Sequence, residues 1–234
     1  MKKFLIIFLL IPNIIFAQDF LSKFTKLKEE IEYIETQKLE IKTVSIAPSG
    51  DWVIVYGDFG YSYNNLPSSA EAHLKKNNTE NYKIKDFDFL NDTSWVCLSR
   101  HNAFALKYTP QSLVDELKKL NKSKESIFQL AYSNGKWAIV YGKGEVATYN
   151  VDQELETTIK QLQKEKRLIK SIEFSTSGWI ILYGKNDYKT NNISTEIEAE
   201  LKKLKDEDAE INHIVFFNAA WMIIYNDNKY VCNF

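Results

Sequence analysis

The chain has 234 residues, 30 basic against 31 acidic, for a net charge of −1, with 44% apolar and 14% aromatic residues. Charge this balanced leaves no one-sided Lys/Arg stripe of the kind that holds nucleic acid. Two cysteines are too few for a disulfide-stapled scaffold, and the apolar fraction suffices for one sizeable core.

The first eighteen residues, MKKFLIIFLLIPNIIFAQ, have the layout of a secretory signal peptide. Lys2 and Lys3 form a basic start, Phe4 to Phe16 an apolar run broken by Pro12, and Ala17 a small residue at the cleavage point. The run is too short to cross a bilayer comfortably as an uncleaved anchor, and no cysteine follows it to carry a lipid. The expected domains are thus a leader at 1–17 and one repeat domain at 18–234. The expected location is the periplasm or the exterior, with no membrane span in the mature chain.

A helix is expected over 19–38, where Phe20, Phe24, Leu27, Ile31 and Ile34 recur at steps of three and four. One pattern then repeats five times: two alternating apolar strands about a Ser/Gly or similar turn, a third strand, and a helix. All five tryptophans, Trp52, Trp95, Trp137, Trp179 and Trp221, open the middle strand of a unit, at spacings of 42 or 43 residues. The strand units span roughly 41–64, 84–108, 127–150, 169–192 and 211–234. Four of them are followed by a helix: one starting at Pro67–Ser68, with Ser68 and Glu71 at capping-box spacing; one at Thr109–Pro110; one near Asp152; and one near Ser194.

A period of this length means a solenoid, a propeller or an array. Open solenoids need polar terminal units, yet the first and last units are as apolar as the rest. The fold class read here is therefore an α+β repeat of five helix–strand–strand–strand units. It is expected to close into a five-bladed propeller-like ring, with the first helix filling the slot after the last strand. Cys97 and Cys232 fall in units two and five, which are not neighbours in such a ring, so two separate thiols are expected.

WVIVYGDFGY at Trp52 to Tyr61, followed by Leu66-Pro67, resembles bacterial tandem-repeat proteins. Their units read W-V-V-x-Y-G-x-x-G-Y, then I-P and a leucine-rich helix. The resemblance spans essentially the whole chain after the leader, strongest in units one and four. It implies a propeller-like fold and transfers no functional residue.

Chemistry is sparse. The tryptophans could be stacking platforms for sugars, but one fixed place in every unit suits core packing better. Tyr56, Tyr141, Tyr183 and Tyr225 read as packing groups with the hydroxyl at the rim. His73, His101 and His213 lack zinc-site spacing, so no metal and no cofactor is called for. G-x-S-x-G, P-loop and G-x-G-x-x-G patterns are missing. Cys232 comes late, like the nucleophile of guanidine-modifying enzymes on five-unit α/β propellers. Its context, NDNKYVC, lacks their Gly- and His-rich surroundings, so it reads as a small apolar group.

The turns between the second and third strands vary most: YGDFGY, SRHNAF, YGKGEV, YGKNDY and YNDNKY. They place Asp58, Arg100, His101, Lys143, Glu145, Lys185, Asp187, Asp227 and Lys229 as candidate binding residues at one rim. Those residue types are equally good turn formers, and both readings stand. The expected function is a non-catalytic, monomeric interaction scaffold for an envelope protein, a peptide or a glycan. The alternatives are a carbohydrate hydrolase using Asp58, Glu145, Asp187 and Asp227, or a purely structural envelope component.

Overall fold

The structure, a computed structural model, describes residues 11–99 and 103–234, with side chains from Leu21 onward except those of Ala103 and Asp227. The basic start and first part of the apolar leader, and the turn residues Arg100 and His101, lie outside the described residues. Helix α1 runs Ile11–Thr36. Among the described residues it already extends N-terminal to the 19–38 of the sequence reading, and it ends at Thr36.

Unit one holds β1 (Ile41–Ile46), β2 (Trp52–Tyr56) and β3 (Gly60–Tyr63), followed by α2 (Ser68–Thr79). Unit two holds β4 (Ile84–Phe89), β5 (Trp95–Ser99) and β6 (Ala103–Lys107), then α3 (Gln111–Ser123). Unit three holds β7 (Ile127–Ser133), β8 (Lys136–Tyr141) and β9 (Glu145–Tyr149), then α4 (Gln153–Lys164). Unit four holds β10 (Ile169–Phe174), β11 (Trp179–Tyr183) and β12 (Asp187–Asn191), then α5 (Thr195–Asp206). Unit five is β13 (Ile211–Phe217), β14 (Ala220–Tyr225) and β15 (Lys229–Cys232). Each unit is an antiparallel three-stranded sheet in chain order.

The middle strands are buried on both faces, so they are continuous apolar runs rather than the alternation expected of them. Trp52 and Ile54 point to one neighbouring core, Val53 and Val55 to the other. Five cores result, each joining two units through one helix. Ala70 and Leu74 of α2 join units one and two. Leu113, Leu117 and Leu120 of α3 join two and three; Leu155, Ile159 and Leu162 of α4 join three and four. Ile197, Leu201 and Leu204 of α5 join four and five. The remaining core packs Phe24, Leu27, Ile31 and Ile34 of α1 against Met222 and Ile224 of unit five and against Val44, Trp52 and Ile54 of unit one. Burying each such side chain is worth about 1.5–3 kcal/mol. Helix α1 also bonds both units at its surface: Ser62 donates to Glu30 (2.7 Å) and Tyr230 donates to Glu32 (2.8 Å).

Asp152 and Ser194 cap α4 and α5 by accepting from Leu155 N and Ile197 N. The caps expected at Ser68 and Thr109 do not form. Pro67 and Pro110 stand at those cap positions in extended conformation, and their carbonyls take the first helical N–H groups. Glu71, freed from capping, accepts from Tyr63 instead.

All five helices stop the same way. Lys38, Asn81, Lys124, Lys166 and Asp208 adopt left-handed φ of 54–61°, and the next N–H bonds back five residues, as in Leu39 to Ile34 and Arg167 to Leu162. The Tyr-Gly of the second strand has a comparable cause. Gly57, Gly142 and Gly184 take φ of 56–61° and donate to the residue just before the unit's first strand; Asn226 does so in unit five.

Candidate functional site

The described turn residues are mostly engaged with the segment that follows their own sheet, not with one another. Asp58 pairs with Lys83 at 2.8 Å, Lys185 with Asp208 at 2.6 Å, and Asp187 with Lys205 of α5 at 2.6 Å. Lys185 holds the Asp208 carboxyl below its usual range, and Asp187 raises Lys205. The Glu145 carboxylate folds back onto Lys143 N. Lys229 is exposed.

This end of the sheets carries open clefts between successive units. One, of about 690 Å³, is bordered by Lys42, Asp58, Lys83, Lys85 and Phe128. A second, of about 590 Å³, is bordered by Phe128, Val140, Lys143, Leu168, Ile169 and Lys170. The two meet at Phe128. A third shares Lys143 and Leu168 with the second and adds Lys166 and Arg167.

The polar interior is what sequence reasoning missed. The first strands pack against one another in the order β1, β4, β7, β10, β13, and β13 packs against β1. Each has a bulge after its first residue, and the residue that resumes pairing is polar in every unit: Thr43, Asp86, Gln129, Ser171 and His213, all buried. Four of these reach the next first strand, Thr43 by its bond to the Asp86 carboxyl. Asp86 Oδ2 accepts from Leu130 N (2.7 Å). Gln129 donates to Ile172 O (3.1 Å) and accepts from Ile172 N (3.3 Å). His213 Nε2 meets Val44 O at 3.0 Å. A carbonyl only accepts, so Nε2 carries the proton and a neutral ring leaves Nδ1 bare. The Ser171 hydroxyl is left without a partner.

Two residues further along, the second position of this set holds Ser45, Asp88, Ala131, Glu173 and Val215. Ser45 donates to Asp88 Oδ1 (3.0 Å) and accepts from Phe89 N (3.0 Å), while Gln129 donates to Glu173 (3.2 Å). A cavity of about 80 Å³ lies among Asp86, Asp88, Glu173 and His213, lined by all five first strands. At the end carrying the first turns it adjoins a wider bowl of about 190 Å³ walled by Ile46, Phe89, Tyr132, Phe174 and Phe216.

Burial pushes Asp86 up to about 6, opposed by bonds from Leu130 N, Thr43 and Phe87 N. Burial, reinforced by Asp86, raises Asp88 well above the ordinary carboxyl range, and Glu173 rises by burial with Asp88 and Asp86 adding. Burial lowers His213. His213 Nδ1 and Glu173 Oε1 stand 3.9 Å apart. That spacing suits an ion pair, but both shifts favour the neutral forms, and desolvation of two enclosed charges is the larger effect. Burial thus favours neutral Glu173 and His213, and the bonds of Asp86, Gln129 and His213 tie the sheets together. Its faint sequence signal is IKDFDF at Ile84–Phe89, where alternation sets Asp86 and Asp88 opposite Phe87 and Phe89. That polar face reads as solvated until the other first strands are seen to cover it.

No protein-family model matches the chain, and no curated protein matches it. Among solved structures it is similar to the C-terminal domain of gp131 from bacteriophage phiKZ, at 12% identity and TM-score 0.39 over 67% of this chain and 53% of that one. It is also similar to YCF48 bound to D1 peptide, at 13% identity and TM-score 0.30 over 82% of this chain and 49% of that one. The chain thus spans about half the length of each.

Proposed function

We propose that the five units close into a propeller-like ring and that the protein is an exported, non-catalytic binding module. It engages its partner through the end that carries the second-to-third-strand turns. Closure is supported by the α1 core between units five and one, by the His213–Val44 bond, and by Asn228 accepting from Ile41 N at 2.8 Å. Export rests on the leader-like first residues.

The binding reading is carried by the two large clefts that meet at Phe128. Large exposed cavities bordered by variable turns on a repeated scaffold are where repeat proteins place recognition. A hydrolase reading has less behind it, because Asp58 and Asp187 are each held by a lysine. The test is retention of envelope proteins and a glycan panel by the wild type beside a folded variant carrying Lys143→Ala, Glu145→Gln, Lys185→Ala and Asp187→Asn. A partner held by the wild type and lost by the variant supports the reading. Equal retention by both moves the site off this end.

A further inference from the structure

We propose that the cleft between units three and four docks an acidic peptide segment bearing apolar side chains; this rests on, and narrows, the binding reading above.

The five units supply an internal comparison. At the second position of the first strand they carry Lys42, Lys85, Phe128, Lys170 and Asn212. At the residue just before that strand they carry Glu40, Lys83, Ser126, Leu168 and Glu210. The scaffold thus accepts charged or polar groups at both places, and only units three and four put a large apolar side chain there. Phe128 is 46% exposed and Leu168 is 55% exposed, and both border the same cleft of about 590 Å³. Other units fold with charged or polar groups at these places, and here the two side chains border one cleft as a shared apolar patch, with the Lys85 ammonium 5.7 Å from the centre of the Phe128 ring; such a patch marks a docking surface. Gly144 belongs to the same construction. A side chain on it would come within 2.9 Å of Ile169 N and 3.2 Å of the Leu168 side chain, so the glycine is what lets Leu168 lie against the turn.

The surroundings are basic in a molecule whose net charge is −1. Lys143, Lys166, Arg167 and Lys170 stand around Leu168. Among the described residues Lys143, Lys166 and Arg167 make no ion pair, while Lys170 pairs with Glu210 at 3.2 Å. The nearby Glu145 carboxylate is taken by Lys143 N. Apolar anchors inside a cationic border complement Phe or Leu flanked by Asp or Glu. The wall of this cleft itself has no Asp, Glu, Asn or Gln to grip sugar hydroxyls; Glu145 and Gln163 line only the adjoining one. Its anchors line a recess rather than a projecting tip, which suits an inserted side chain better than a bilayer surface.

The test is fluorescence anisotropy on the full chain with a labelled octapeptide alternating Asp or Glu with Phe and Leu. Two controls replace its acids by Lys or its apolar residues by Ser. Phe128→Lys and Leu168→Glu are suitable variants, because units one, two and four already carry Lys at the first position and units one and five carry Glu at the second. The expected result is tighter binding of the acidic apolar peptide than of either control. The double variant should bind about tenfold or more weakly at unchanged melting temperature, as loss of central anchors does. Equal binding of all three peptides, or unchanged affinity in the double variant, overturns the proposal. So does binding of anionic phospholipid vesicles or a sulfated glycan, lost in the double variant, where the peptide fails. If the peptide fails while envelope proteins are still retained and lost with the turn variant, this inference falls and the broader binding reading stands.

Discussion

The buried Asp86 decides how stability should respond to pH. Its carboxyl titrates near 6 in the fold, against an ordinary value of about 3.9. A group that holds its proton more tightly folded than unfolded stabilises the fold while protonated. That stability is therefore present below about pH 4 and is lost as pH rises toward 6, by on the order of 2–3 kcal/mol. Asp88 and Glu173, raised well above the ordinary carboxyl range by burial, add to the loss in the same direction. His213 works the other way: its folded value is lowered, so its contribution is lost as pH falls below about 6.5. Denaturant unfolding at stepped pH should show stability declining from about pH 4 to about 6, with a shallower decline between 5 and 6 for Asp86→Asn. A wild-type profile that rises over that range would contradict the burial of these acids.

A second residue-scale prediction concerns the indoles. Trp95 and Trp137 donate to Ser69 and Ser112, each the second residue of the helix before its sheet, both at 3.2 Å. In α4 and α5 the second residue is Glu154 or Glu196, and the indole N–H of Trp179 and of Trp221 is buried without a partner. Glu154→Ser should restore the bond and stabilise by about 1 kcal/mol, seen as a higher denaturation midpoint. No gain would mean that the serines of α2 and α3 are incidental.

At the scale of elements, most of the fold was legible in the sequence. The tryptophan spacing placed every middle strand, and Leu113, Leu117 and Leu120 gave the buried face of α3 directly. Asp152 and Ser194, near which helices were expected to start, are their N-caps. Ser68 and Thr109 are not caps, because the adjacent prolines already fix the extended entry that a cap residue needs. The left-handed helix ends were hidden for a related reason: lysine, asparagine and aspartate stand where glycine is the usual signal. Lys124, at φ 61°, carries the strain of that conformation with its side chain in solvent. Lys124→Gly should therefore stabilise the protein by about 0.5–1 kcal/mol, read as a shift in melting temperature, by relieving left-handed strain. A destabilised variant would show that the gain in unfolded-chain entropy outweighs that relief.

At the scale of the molecule, the site was only half legible. The variable turns were visible as a set, but Asp58, Asp187 and Lys185 pair with Lys83, Lys205 and Asp208 rather than with one another. Nothing in the pattern singles out Phe128 and Leu168, since periodicity does not say which apolar positions neighbouring units leave uncovered. The acidic interior left only the faint alternation of IKDFDF, because only the packing of first strand on first strand turns that polar face inward.

The proposed ring hangs on α1, which bonds unit one through Glu30 and Ser62 and unit five through Glu32 and Tyr230. The most direct test pairs cysteines at these two places, Glu30→Cys with Ser62→Cys and Glu32→Cys with Tyr230→Cys, in a chain carrying Cys97→Ala and Cys232→Ser. Each pair is then treated with a short bismaleimide at low protein concentration. Closure predicts that both pairs join within a single chain. An open stack would link the first pair and leave the second unlinked or joined only between chains.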